Sequence, residues 1–284
     1  MRSALFGYKL KFRRDIAMLL AVNVGNKNIS FAVFCKDCDE PCACFKAATD
    51  LGKTKDEYAI LVKQLLDFSS IDAAGIDGAI IASVVPQLND VIKSVAANIT
   101  GKTPIVVGPG VKTGFAIKID DPAELGADIA ANASEVVAIL KEEKVDAPAL
   151  ILDLGAVTTL FAVNKKREVV GGAIIPGISM SLDALHRDTA LLPNIDMVGS
   201  CRAIGKNTKE SLISGVVLGH AAMIDGLCDR FESEMRCERG EARLFATGEY
   251  ADVILKNLDH SFLNIPALTL KGLARIYRNT VGEI

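Results

Sequence analysis

Apolar and polar positions along the chain follow two alternating periods. Leu20–Phe34, LAVNVGNKNISFAVF, reads as two buried strands around a polar turn containing Gly25, Asn26 and Lys27. The pattern returns 130 residues later as Leu150–Asn164, LILDLGAVTTLFAVN. Without a gap, Leu20 meets Leu150, Asn23 meets Asp153 and Gly25 meets Gly155, while Phe31, Ala32 and Val33 fall on Phe161, Ala162 and Val163. A gapless match offset by about half the chain predicts a duplicated strand–turn–strand unit.

Strands and helices alternate between and beyond these hairpins. Ala79–Val85 and Pro104–Gly108 are short apolar runs closed by Pro or Gly, hence strands. Tyr58, Leu61, Leu65 and Phe68 recur at helical spacing. The stretch from Pro122 to Lys144 opens on Pro and Glu124 and ends in KEEK, which predicts one helix ending in water. A long helix follows in TKESLISGVVLGHAAMIDGLCDRFESEM, with Leu212, Val216, Met223, Leu227 and Phe231 expected inward, and Asn207 or Thr208 caps its start. RLFATGEYADVI reads as strand, glycine turn and helix, and LTLKGLARIYRN as a final helix. The expected architecture is α/β in two related halves, residues 18–146 and 147–284, after an extension over 1–17.

Composition narrows the class. With 284 residues, 50% hydrophobic and 24% charged, the chain fits two soluble domains of ordinary size. A net charge of -3 lacks the basic stripe of a nucleic-acid binder. No uninterrupted apolar run approaches the roughly 18–20 residues of a membrane span. The basic start MRSALFGYKLKFRRDIA has no apolar stretch after its charges; it is a targeting or interfacial segment, or an extension outside the fold. Seven cysteines are an odd number, so a closed disulfide framework cannot use them all. Cys201, Cys228 and Cys237 are scattered; Cys35, Cys38, Cys42 and Cys44 crowd into CKDCDEPCACF. Such density admits a soft metal held by thiolates, or free cytosolic thiols on a hairpin loop.

The paired turns suggest a cleft between two lobes. Backbone N–H groups of a glycine turn cradle phosphates, a carboxylate such as Asp153 suits Mg²⁺, and Thr158 and Thr159 offer hydroxyls to phosphate oxygens. Either glycine alone would mean only a tight hairpin; their pairing by repeat points to phosphate. His186, His220 and His260 are far apart with no carboxylate at ligand spacing, and His220 reads as a satisfied core or interface histidine.

Ordered motifs carry a resemblance over about Met18 to Asn279: GPGVKTGFAIKIDDPAELGADIAANA (Gly108–Ala133), DLGAVTT (Asp153–Thr159), GGAIIPGISMSLDAL (Gly171–Leu185), TALLP (Thr189–Pro193), IGKNTKESLISG (Ile204–Gly215), ATG (Ala246–Gly248) and LTLKGL (Leu268–Leu273). The chain resembles the type III pantothenate kinases of the acetate-kinase, sugar-kinase, Hsp70 and actin superfamily. The resemblance implies a cytoplasmic homodimer of two ribonuclease-H-like lobes. It implies transfer of the γ-phosphoryl of ATP to the primary hydroxyl of pantothenate, the opening step of coenzyme A synthesis, with Mg²⁺ and a monovalent cation such as K⁺. By motif position, Asp128 is the general base and Asp153 the cation-associated aspartate. Asn23, Gly25, Asn26, Lys27, Gly155, Thr158, Thr159 and Gly248 fall on the nucleotide side, and Gly108, Gly110, Lys112, Gly126 and Thr189 on the substrate side.

Departures from the family pattern surround the same cleft. The first loop, usually Asp-x-Gly-Asn-Thr, is NVGNK here, so Asn23 replaces Asp and Lys27 replaces Thr. Asn keeps a carbonyl ligand without the charge, and Lys27 either pairs with phosphate or blocks a metal. Ile129 stands for the Arg after the catalytic Asp, Ile119 for a Tyr, Ala156 for a small hydroxyl, and Glu249 for a second glycine after ATG. Three readings follow: a weak pantothenate kinase, a kinase for another, less anionic acceptor, or a catalytically silent subunit, including one paired with an active homologue. A metal-sensing role for the four clustered cysteines is a further alternative.

Overall fold

The computed structural model describes residues 17–36, 38–195 and 202–282. The expected extension therefore lies outside the described residues except for Ala17, and so does Cys201.

Each half starts with the hairpin its alternation predicts. In the first, β1 (Met18–Val24), β2 (Asn28–Cys35) and β3 (Ala43–Ala48) form an antiparallel meander. After α1 (Lys55–Phe68), β4 (Ile76–Ser83) returns parallel to β1, and α2 (Asn89–Thr100) leads to β5 (Ile105–Val106). β6 (Ala116–Ile117) and α3 (Ala127–Glu142) precede the second meander, β7 (Ala149–Leu154), β8 (Val157–Val163) and β9 (Glu168–Pro176). Then come α4 (Ile178–Arg187), α5 (Thr208–Glu234), β10 (Arg243–Thr247), α6 (Ala251–Ile254), β11 (Leu263–Asn264) and α7 (Leu268–Val281). The strand orders are β3-β2-β1-β4-β5 and β9-β8-β7-β10-β11, with β6 added outside β9. Both sheets thus repeat one ribonuclease-H-like order, with the same parallel and antiparallel senses.

The duplication holds, but the gapless alignment slips after the turn. Leu20 pairs with Val33, whereas its counterpart Leu150 pairs with Ala162, because the second turn is one residue shorter. Structurally, Phe31 therefore matches Leu160 and Ala32 matches Phe161. A one-residue shift exchanges the faces of a strand. Phe31 and Leu160 accordingly lie in the outer cores, while Ala32 and Phe161 lie in the cores facing the middle of the molecule.

Five layers result. α1 and α2 cover the outer face of the first sheet; α4, α5 and α6 cover the outer face of the second. Between the sheets, α7 packs on the first through Leu270, Leu273, Ala274 and Ile276, and α3 packs on the second through Ala133, Val136, Val137 and Leu140. Three pieces thus cross the expected division at 146: β6 belongs to the second sheet, α3 packs on the second sheet and α7 packs on the first.

Helix faces differ in detail from the periodicity reading. α1 buries Tyr58, Val62 and Leu66, a strict i, i+4, i+8 stripe, and leaves Phe68 91% exposed. Thr54 and Glu57 form a reciprocal capping box at its start. α5 buries Val216 and packs Leu212, Leu227 and Phe231 partly buried against the same core, but its core stripe runs through Ile213, Val217, Ala221, Ile224 and Cys228, and Met223 faces outward. By length and composition alone α5 could cross a membrane, yet this stripe packs on the second sheet. Asn207 caps α5 by accepting from the Glu210 N–H. The helix predicted from Pro122 is interrupted: Pro122–Glu124 is a 3-10 turn, and α3 starts after Gly126.

The α3–α7 crossing is tight enough to need a missing side chain. A Cβ on Gly272 would sit 1.8 Å from the Ala131 carbonyl oxygen. Backbone is in the way, so neither helix can yield by a rotamer change. We expect Gly272→Ala to destabilise the fold by at least ~1–3 kcal/mol, read as a lower urea midpoint. An unchanged midpoint would mean that the two helices can part freely.

Candidate active site

The two duplicated turns face each other across a cleft of about 580 Å³ between the sheets. Its walls include Asn23, Gly25, Asn26 and Lys27 from the first turn, Gly155, Ala156 and Thr159 from the second, and Gly248 and Glu249 after β10. Asp128 from the first turn of α3 and Asp153 near the end of β7 also line it. Residues 225 positions apart in sequence, such as Asn23 and Gly248, meet here because β1 and β7 start equivalent sheets that face one another.

Local bonds fix the shape of the loops. The Gly25 N–H donates to the Asn28 carbonyl (3.0 Å), the Thr49 hydroxyl donates to the Gly25 carbonyl (2.6 Å), and the Thr49 N–H donates to the Lys27 carbonyl (3.0 Å). The first turn is thereby pinned to the end of β3. Gly248 has φ +108°, and a Cβ there would lie 2.5 Å from Leu154 backbone atoms. Glycine is required where the chain leaving β10 passes over the end of β7.

Two carboxylates share the cleft. Burial raises the Asp153 carboxyl to about 6; the Asp128 charge adds to the rise, and the Asn132 hydrogen bond and the Lys46 ammonium oppose it. Asn132 Nδ2 donates to Asp153 Oδ2 at 3.2 Å. Burial also raises Asp128, opposed by the Ile129 N–H donating to its Oδ1 at 2.9 Å. A partly buried carboxylate next to a second one is an acceptor set suited to a hard divalent cation. Mg²⁺ therefore fits Asp153, with Asn23 able to add a neutral carbonyl oxygen.

Lys27 reaches across the cleft mouth. Its Nζ donates to Ser179 Oγ at 2.9 Å and lies 3.4 Å from Asp183 Oδ2, both on α4. The two charged side chains are 51% and 56% exposed, so this ion pair is worth only about 0–1 kcal/mol.

Other residues singled out in the sequence lie elsewhere. Thr158 is fully buried and shares the outward face of β8 with Leu160, so its hydroxyl is turned away from the cleft; only Thr159 lines it. Gly108 and Gly110 are exposed in the β5–β6 loop, and the Lys112 N–H donates to Thr280 Oγ1. Gly126 occupies the N-cap of α3, two residues before Asp128. Thr189 is exposed after α4 and donates to the Leu185 carbonyl. None of these five is among the cleft-lining residues. Ile129 packs against the core between α3 and the second sheet.

The four-thiolate site is not assembled. Cys35 and Cys42 form a disulfide at the tip of the β2–β3 hairpin, and Cys38 and Cys44 are exposed free thiols. The pairing uses two of the four sulfurs, which a tetrahedral thiolate site would need. His220 is satisfied as expected: its ring nitrogens lie 2.7 Å from the Val216 carbonyl and 2.8 Å from that of Pro176.

Sequence reasoning missed Asn132, Lys46, Thr247 and Thr269. Asn132 carried a readable signal, being a polar residue one helical turn after Asp128 in an alanine-rich stretch. Lys46, Thr247 and Thr269 reach the cleft only through the folded arrangement of β3, β10 and α7.

Comparison with known proteins adds a family to this geometry. The sequence model of type III pantothenate kinases matches residues 19–230. The chain is similar to a type III pantothenate kinase of Moorella thermoacetica, 38% identical over 264 residues, covering 93% of this chain and 100% of that protein. One of Exiguobacterium sp. is 39% identical over 92% of this chain and 98% of its own length. In structure, an inorganic polyphosphate/ATP-glucomannokinase of Arthrobacter sp. strain KM aligns with a TM-score of 0.50 at 15% identity, over 92% of this chain and 98% of that one. That likeness concerns the fold.

The raised carboxyl gives a signed expectation. Asp153 binds its proton more tightly folded than unfolded, so its charge costs stability as pH rises from about 4 through about 6, and the full cost, about 3 kcal/mol, applies above that. Asp153→Asn should therefore raise the urea midpoint at pH 8, with the gain over wild type shrinking as pH falls below 6. A midpoint lowered at pH 8 would show that the carboxylate stabilises the fold instead.

Proposed function

The chain belongs to the type III pantothenate kinase family, and from that premise we propose that it phosphorylates pantothenate with ATP, in the opening step of coenzyme A synthesis. The observation that carries this reading is the meeting of Asp128 and Asp153 in one cleft between the duplicated turns.

In this reading the triphosphate lies between the two turns and the acceptor hydroxyl approaches Asp128. Asp128 takes the hydroxyl proton as that oxygen bonds to the γ-phosphorus; the bond to the bridging oxygen breaks, and ADP leaves with the electron pair. Burial suits Asp128 to the task, since a base with its proton affinity raised toward neutrality accepts a proton more readily. Asn132 holds the Asp153 carboxylate in place. Mg²⁺, held at Asp153, would neutralise phosphate charge, and K⁺ is the monovalent cofactor we propose with it. Gly25, Asn26, Gly155, Thr159 and Gly248 would face the nucleotide. Gly108, Gly110, Lys112, Gly126 and Thr189, on the substrate side by motif, are proposed to meet pantothenate only if the loops that carry them close over the cleft.

Lys27 is assigned to the phosphates. Exchanging an exposed Asp183 contact for a charge-assisted contact is favourable, because the first is worth about 0–1 kcal/mol and the second about 1.5–3. The enzyme is proposed to work in the cytoplasm as a homodimer. α5 leaves Gly215, Gly219, Met223 and Gly226 exposed, with open space around all three glycines, a surface that suits close approach of a second copy. The competing reading, a silent subunit that binds nucleotide without turnover and pairs with an active homologue, draws on Glu249, an exposed carboxylate at the cleft rim that opposes phosphate.

The deciding assay incubates the full chain with ATP, Mg²⁺, K⁺ and pantothenate and detects phosphopantothenate by mass spectrometry. Asp128→Asn should lower kcat by about 10²–10⁴, with the fold retained. ATP binding without product would favour the silent subunit. Lys27→Met should raise the KM for ATP by about 10–100-fold with kcat little changed; an unaltered KM would remove Lys27 from the nucleotide.

A further inference from the structure

A second cluster of chemistry-bearing groups lies outside the cleft, where α5 meets the segment between α6 and β11. Folding brings His260 against carboxylates that its position in the sequence did not suggest. Asp225 accepts from the backbone N–H groups of Asp259 (2.9 Å) and His260 (3.1 Å), and its Oδ1 lies 2.7 Å from His260 Nδ1. This contact places a proton on Nδ1 and leaves Nε2 as the ring's free lone pair. The side chain is only 6% exposed.

Nε2 makes no hydrogen bond. It faces Asp229, whose Oδ1 is 3.3 Å away, and beyond it Glu232. One ligand atom from each of the three residues lies within 4.8 Å of the other two. Glu232 is 1% exposed, and its carboxylate is oriented by the N–H groups of Gly240 and Ala242 at 3.0–3.1 Å. Of the two carboxylates, Asp229 has the exposed Arg239 guanidinium beside it and Glu232 has only backbone N–H groups, so the point they share with the Nε2 lone pair is left short of positive charge.

We infer that Asp229, Glu232 and His260 form a binding site for a divalent metal ion of the zinc class, with Asp225 as the group that orients the histidine. Zinc takes nitrogen and carboxylate oxygen at about 2.0–2.2 Å in a tetrahedron, so neighbouring ligand atoms stand about 3.3 Å apart. The Nε2–Oδ1 separation has that length. A histidine that gives its other N–H to a carboxylate is the usual companion of such an ion. Arg239, whose Nε donates to Asp229 Oδ1 at 2.7 Å, holds that carboxylate in position and limits affinity through its own charge. The ion would tie the C-terminal half of α5 to the segment before β11; none of its ligands lines the cleft.

The test is equilibrium dialysis of the full chain against Zn²⁺, with metal analysis, and Co²⁺ absorption as the report on geometry. One Zn²⁺ per chain is expected, with tetrahedral Co²⁺ bands and a Tm raised by Zn²⁺. His260→Gln and Asp229→Asn should each weaken binding at least ~10-fold, while a Cys38→Ser, Cys44→Ser double variant retains it. Asp229 is half exposed, so its variant keeps the reading falsifiable if His260→Gln fails to fold. No stoichiometric metal in the wild type, or metal that persists in both variants and is lost with the cysteines, would overturn the assignment.

Discussion

The crossing of α3 over α7 is the contact on which the rest of the molecule depends. Each helix packs on the sheet of the other half, so the two sheets share one central layer. Gly272 lets α7 lie directly against the Ala131 backbone. From that fixed point the start of α3 delivers Asp128, and the start of α7 delivers Ala267, Thr269 and Leu270 to the cleft wall. Arg275 sets the rotation of the pair by reaching Glu135 (3.3 Å) and Glu142 (3.1 Å) on α3. Arg278 and Lys271 extend the grip to Asp39 and Glu40 at the hairpin tip closed by the Cys35–Cys42 disulfide. The hairpin carrying Lys46 is therefore braced at both ends: at its tip by α7 and near its turn by Thr49.

The same geometry explains why the cleft is costly to the fold. Burial raises both Asp128 and Asp153, the Asp128 charge adds to the rise at Asp153, and one amide from Asn132 and one ammonium from Lys46 temper it there. Neither fully neutralises the pair. A site left short of positive charge is one that binds cations, and the deficit is what a metal-bound phosphate would relieve. Stability is lost where a ligand is to be gained, a trade expected at functional sites.

Much of the fold was legible because strand alternation and repeat survive as patterns of single side chains. The two duplicated hairpins, the capping of α5 by Asn207 and the buried role of His220 all rest on local chemistry. Errors arose where a tertiary choice overrides the pattern. One residue fewer in the second turn moves Phe161 to the face opposite Phe31, although the sequence places them together. The same alternation decides that Thr159 reaches the cleft and Thr158 does not. In α1 the apolar residues form a band wide enough to admit two stripes, and packing on the first sheet selects Tyr58, Val62 and Leu66. His260 shows the converse: its carboxylate neighbours lie 28–35 residues away, a separation no spacing rule detects.

The first loop is best understood through charge balance. Compared with the aspartate and threonine usual in the resembling loop, Asn23 removes one negative charge and Lys27 adds one positive, so both changes favour a polyphosphate. In the proposed kinase, loss of the aspartate would weaken the hold on Mg²⁺ at that turn and leave Asp153 on the opposite turn as the principal carboxylate for it. Lys27 would then supply the missing charge directly, from a side chain whose contacts with Ser179 and Asp183 are exposed and cheap to exchange. Its position at the mouth matters as much as its sign: in the proposed kinase the ammonium that now bonds to α4 would turn inward toward the triphosphate. In the proposed kinase, NVGNKN is then a phosphate loop that relies less on metal and more on a lysine.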